Sequence, residues 1–140
     1  MTYGIQNTLD LTSGFLPGMA SNGDGSIVVT SSMASIEANP LLGAYGAAKA
    51  APNSIVRNIA AERGPHNIRA NTIAPGIVRT GFSQALWQDG ENEGRLSAKI
   101  PLGRIAEPDE VVGAAPLFGT PAGAYISGTT LMIDGGRQVI

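Results

Sequence analysis

Apolar positions in this chain gather into short runs separated by turn residues, and the runs switch between two spacings. In GSIVVTSS a β-branched stretch from Ile27 to Thr30 lies between Gly25 and Ser26 on one side and Ser31 and Ser32 on the other. A run without polar alternation suits a strand covered on both faces, as in a parallel sheet. After a loop around Asn39 and Pro40 the spacing changes. Residues from about Gly43 to Glu62 are alanine-rich, with Ile55, Ile59 and Ala60 at helical intervals, and Gly64 and Pro65 end the helix. A second short strand is predicted at Ile68 to Ile73, ended by APG at Ala74 to Gly76, and a third at Thr130 to Ile133, closed by DGG. Between them lie a loop with a short helix inside Phe82 to Lys99 and a helix starting near Pro108, where Asp109 and Glu110 suit the positive end of the dipole. The order strand, helix, strand, helix, strand predicts right-handed βαβ connections and an open parallel α/β sheet. Pro52 and Pro116 interrupt predicted helices, each at about 3 kcal/mol. Pro52 clashes back at Ala48, so a kink beside Lys49 is expected.

Composition narrows the class of protein. The 140 residues suffice for one domain or part of one, and 43% hydrophobic with 14% charged residues is ordinary for a soluble globular chain. The 19 Gly and 9 Pro indicate many turns. A net charge of −2, 5% aromatic residues and no basic block argue against a nucleic-acid partner. No charged and then apolar leader and no membrane-length apolar stretch occur, so no membrane partner is expected and cytoplasm is the expected compartment. Without cysteine there is no disulfide framework or thiol nucleophile. His66 is alone in the polar turn RGPHNIR and reads as a surface residue, so no metal site is assigned.

The segment AYGAAK carries the candidate chemistry. Tyr45 and Lys49 stand at i and i+4 and share one helix face, a spacing that an exposed phenol beside an exposed amine would also give. Context favours a site. Ser32 follows the carboxyl end of the first strand, and ligands of open α/β sheets collect beyond such ends. The second strand also runs into a ligand-type loop, NTIAPGIVRTG, where Gly76 permits close backbone approach and Thr80 offers a hydroxyl. A phenol titrates at about 10, and a neighbouring ammonium favours the phenolate. Tyr45 so placed could pass a proton to or from a carbonyl oxygen that Ser32 holds, which fits ketone reduction coupled to hydride transfer. Rival motifs fail: GAYGAAKAA lacks the spacing of a phosphate loop, and TSSMAS lacks a G-x-S-x-G elbow. Asp89, Glu91 and Glu93 read as a solvated loop, and Gly23 to Gly25 as a hairpin-like turn before the first strand.

Ser32, Tyr45-x-x-x-Lys49, NTIAPGIVRT and YISGTTLMIDGG, in this order, resemble the carboxyl-terminal half of the short-chain dehydrogenase/reductase family. The resemblance implies a Rossmann-like, doubly wound parallel sheet, of which this single truncated domain, residues 1–140, carries the last three strands with flanking helices. It implies Tyr45 as acid/base, Ser32 on the substrate oxygen, and Lys49 beneath Tyr45 and on the nicotinamide ribose of NAD or NADP. It further implies that Val78 and Thr80 hold the carboxamide, that Pro75 and Gly76 shape the loop, and that Phe82 to Trp87 with Leu41 and Leu42 form an apolar substrate wall. TGFSQALWQD and PLGRIAEPDEV look most like members acting on ketones or alcohols.

The departures are as specific. No T-G-x-x-x-G-x-G or N-N-A-G segment precedes Ser32, and no residue selects between NAD and NADP. LDLTSGFLPGMASNGDGSIVV resembles two family helices, with Asp10 where the family places an asparagine, so Asp10 is not assigned a catalytic role. The strand ending at Ser32 is expected to leave an edge open, a place for pairing with another chain or a second copy. Two functions stay open: an NAD(P)-dependent oxidoreductase, or a non-catalytic remnant that associates with another chain.

Overall fold

The computed structural model describes residues 2–139. Its three strands, β1 (Gly25–Thr30), β2 (Ile68–Pro75) and β3 (Thr130–Ile133), pair in parallel in the order β1-β2-β3. Ile27 lies opposite Ala70, and Ile73 opposite Leu131. Because side chains alternate across a strand, this register sends Ile27, Val29 and Ala70 to one face and Val28, Ile73 and Leu131 to the other. Helices α1 (Thr2–Asn22) and α2 (Gly43–Arg63) cover the first face, where Val56, Ile59 and Ile68 are buried with Leu16 and Met19 against them. On the second face α6 (Ala114–Gly119) inserts Phe118, which is fully buried, over Ile73 and Val28. Burial of a side chain that size contributes about 2–3 kcal/mol. The result is a three-layer α/β body of Rossmann type.

Several predicted boundaries move, each for a local reason. β2 continues two residues beyond Ile73, to Pro75. Ile73 turns its carbonyl toward β1, accepting from Ser31 N–H at 2.7 Å, so Pro75, two residues on, turns its absent donor to the same side, beyond the end of β1. The ladder to β3 loses nothing, and Gly76 N–H donates to Ile133 at 2.9 Å. The single helix expected within residues 82–99 is two, α3 (Gln84–Trp87) and α4 (Gly90–Ser97). Asp89, exposed in the bend between them, also caps α4 by accepting from Glu91 N–H at 3.2 Å. The helix expected from Pro108 breaks at Gly113 into α5 (Asp109–Val112) and α6.

The prolines do less damage than expected. α2 runs unbroken through Pro52, which is buried. Pro116 is the third residue of α6, where the missing N–H has no intrahelical partner to lose. The two helices expected before β1 are one, α1, which continues through Pro17. Its end also corrects the hairpin expected at Gly23. That residue has φ +68, Gly23 N–H donates to Ala20 and Asp24 N–H to Met19, so the turn is a left-handed helix cap. Among the described residues β1 is an edge strand of the sheet.

Candidate active site

Ser32 leaves β1 in extended conformation and caps a tight 3-10 turn, Met33–Ser35. Its Oγ accepts from Ala34 N–H at 3.2 Å, which leaves the hydroxyl proton free to point elsewhere. The turn packs against α2, and Asn53 Nδ2 donates to Ser35 Oγ at 2.9 Å. Tyr45 lies in the first turn of α2 and Lys49 one turn on, both half-buried. Lys49 Nζ donates to the Thr30 carbonyl at 3.3 Å, and the Lys49 carbonyl accepts from Ser31 Oγ at 2.7 Å. The kink expected at Pro52 has not carried Lys49 away: it reaches the last residue of β1. The structure thus brings the Ser32 turn, the Tyr45 turn and the Lys49 ammonium to the carboxyl end of the sheet. Asp10 stands apart on α1, exposed and accepting from Gln6 Nε2 at 2.8 Å.

The second limb is the loop after β2. A Cβ on Gly76 would meet Asp134 Cα at 2.9 Å, so the close approach that this glycine permits is to the DGG turn of the chain itself. Val78 forms a parallel bridge with Ala106, made by Arg79 N–H to Ala106 (2.8 Å) and Ala106 N–H to Ile77 (3.1 Å). The amide and carbonyl of Val78 itself therefore face away from that bridge, and the carbonyl accepts from Ser83 Oγ. Thr80 is exposed and shares its hydroxyl with Ser83 at 3.2 Å. Phe82 and Leu41 are 89% and 93% exposed, so the expected apolar wall is open at both.

Arg79 organises this loop, a role not read from the sequence. Its guanidinium pairs with Glu93 and with Glu107 (3.1 Å) and lies 5.5 Å over the Trp87 ring, whose Nε1 donates to Ser83 at 3.1 Å. The acidic run was expected to be solvated, but Glu93 is half-buried in this cluster. The signal present was an arginine within reach of an acidic run, which chain distance alone cannot rank above solvation.

At the rim, Arg104 grips Glu110 through two hydrogen bonds of 2.6 and 2.5 Å, and Glu107 N–H donates to the same carboxylate at 2.8 Å. The Arg104 hydrogen bonds first, and then the Glu107 amide, lower the Glu110 pKa to about 2. A carboxyl depressed on folding stabilises the native state above its ordinary range, and this contribution fades as pH falls toward the folded value. The difference in melting temperature between wild type and Glu110→Gln should be constant from pH 7 to 5 and close between about pH 4.5 and 2. Circular dichroism melts across that range would refute the assignment if the difference persisted at pH 2.

The family profile described as Enoyl-(Acyl carrier protein) reductase matches residues 4–138. Dehydrogenase/reductase SDR family member 4 of Bos taurus is 36% identical over 132 residues, covering 94% of this chain and 47% of that protein. The chain belongs to the short-chain dehydrogenase/reductase family. A tropinone reductase homolog of Arabidopsis thaliana is 37% identical over 143 residues, with 99% of this chain and 53% of that protein covered. Among solved structures, a gluconate 5-dehydrogenase from Burkholderia cenocepacia in complex with NADP and tartrate superposes with TM-score 0.94 at 28% identity, covering 98% of this chain and 54% of that one. This short-chain dehydrogenase/reductase chain spans about half the length of the curated relatives it matches. Among the described residues no helix is long and apolar enough to cross a membrane, and no group of three or more His, Cys, Asp or Glu side chains could hold a metal ion.

Proposed function

We propose that this chain carries the proton-transfer half of an NAD(P)-dependent oxidoreductase acting on ketones and secondary alcohols. The observation that supports this most is the Lys49 contact with Thr30, which seats the Tyr45 face of α2 on the strand end that Ser32 leaves. Tyr45 Oη gives its proton to the substrate carbonyl oxygen in reduction and takes it back from the alcohol in oxidation. Ser32, whose Oγ accepts from Ala34 N–H and so keeps its proton uncommitted there, donates its own hydrogen to that same oxygen. Lys49 has three ammonium protons and directs one at Thr30, so others remain for a ribose hydroxyl.

The donor set suits the nicotinamide end of the cofactor, which when bound supplies or accepts the hydride. Val78 N–H faces away from its bridge to Ala106, and the Thr80 hydroxyl is exposed beside it. Nothing among the described residues forms a glycine-rich strand-to-helix turn for the pyrophosphate, because β1 is preceded by a helix and followed by the Met33–Ser35 turn.

Two consequences follow for binding. For these 140 residues alone, affinity is expected to be weak, with Kd on the order of 0.1–1 mM, and NADH and NADPH are expected to bind within about threefold of each other, because the donors named among the described residues serve the nicotinamide end. Fluorescence titration with both, followed by absorbance assays on a ketone panel, tests the reading. Absence of saturable binding by either cofactor, together with no ketone-dependent oxidation, would refute it.

A further inference from the structure

Gly46 directly follows Tyr45 in α2, in ordinary right-handed helical backbone with no positive φ. Conformation does not require glycine there, and inside a helix glycine is less favourable than alanine. Space does require it. A Cβ on Gly46 would stand 2.5 Å from the backbone carbonyl oxygen of Ala34. Ala34 is the middle residue of the turn that Ser32 caps: its amide donates to Ser32 Oγ, and Ser35 N–H donates to the Ser32 carbonyl at 2.9 Å. The obstructing atom belongs to the backbone and cannot swing aside as a side-chain tip would. The turn has to move as a unit, carrying Ser32 with it.

Other contacts fix the rest of that unit. Asn53, two helical turns beyond Gly46 on the same face, holds Ser35, and Ser31 holds the Lys49 carbonyl. Met33, the first residue of the turn, is buried. A side chain at position 46 would therefore pry the turn from α2 at the end nearest Tyr45 while these ties hold the other end. We propose that Gly46 is a positioning residue: the close approach it allows between α2 and the Met33–Ser35 turn sets the Ser32 hydroxyl relative to the Tyr45 phenol. The catalytic part of this inference rests on the acid/base reading above.

The test is a graded series, Gly46→Ala and Gly46→Val. The alanine variant, its gain in helix propensity offset by the forced shift of the turn, should melt within a few degrees of wild type and yet lose about tenfold in kcat, and the valine variant about a hundredfold. KM should change less than threefold in both, and hydrogen exchange at amides 33–36 should quicken with side-chain size. A loss confined to KM, or valine kcat within twofold of wild type with unchanged exchange, would overturn the proposal. If wild-type protein reduces no ketone, the acid/base reading fails by itself and exchange decides the contact. Faster exchange at 33–36 in the well-folded alanine variant then supports it, and unchanged exchange overturns it.

Discussion

Tyr45→Phe should lower kcat for ketone reduction by about a thousandfold, with the fold and cofactor affinity left nearly intact. The substitution removes one oxygen and keeps the ring. General acid/base catalysis by a placed side chain contributes about 10²–10⁴ in rate, and no other titratable group shares the first turn of α2. Tyr45 is half-buried, so loss of its hydroxyl should shift stability by no more than about 0.5 kcal/mol. Lys49 keeps its hold on Thr30 in this variant, so the fluorescence titration with NADH should move less than about twofold. Steady-state kinetics beside a thermal melt separate this outcome from misfolding. A Phe variant retaining a tenth or more of wild-type kcat would remove Tyr45 from the acid/base role.

The largest effect on stability is expected at Asn71, which is completely buried. Its Nδ2 donates to the Ile126 carbonyl at 2.8 Å and its Oδ1 accepts from Thr129 N–H at 3.1 Å, so a single amide stitches β2 to the loop that feeds β3. Asn71→Leu is similar in volume but leaves both loop groups without their partner. Two such losses cost about 3 kcal/mol together, equivalent to a fall in melting temperature of roughly 10 °C. Denaturant unfolding of Asn71→Leu and Asn71→Asp would check this, with aspartate restoring only the acceptor side. A leucine variant as stable as wild type would show that water satisfies the loop when the amide is gone.

The ends of β1, α2 and β3 were legible because each is bounded by residues with one dominant local preference. Ser31 and Ser32 close β1, Gly64 and Pro65 close α2, and DGG closes β3. Boundaries slipped where partners lie far along the chain. β2 outruns its apolar stretch because Ala74 and Pro75 find Met132 and Ile133 in β3. α2 survives Pro52 because buried contacts at Val56 and Ile59 outweigh the lost hydrogen bond. The division of residues 82–99 into two helices turns on Asp89 capping one of them, a geometry that no spacing of apolar residues announces.

The candidate site was legible in the same uneven way. The helical interval placed Tyr45 and Lys49 on one face, and the position of Ser32 after a strand predicted where that face would meet the sheet. The Arg79 cluster was out of reach of such reasoning, since Glu93 and Glu107 approach it from two separate segments. So was the role of Gly76, whose neighbour Asp134 lies at the far end of the chain.

By itself the sequence determined the parallel α/β class and the three strands, because these depend on periodicity and on short-range backbone preference, and it nominated one hydroxyl, one phenol and one amine as candidates. Only the tertiary structure decided that Lys49 rests on Thr30, that Ala34 abuts Gly46 and that Arg79 gathers two glutamates and a tryptophan. Those contacts join residues brought together by the order of strands in the sheet and the layering of helices on it. Distance along the chain carries no record of that proximity.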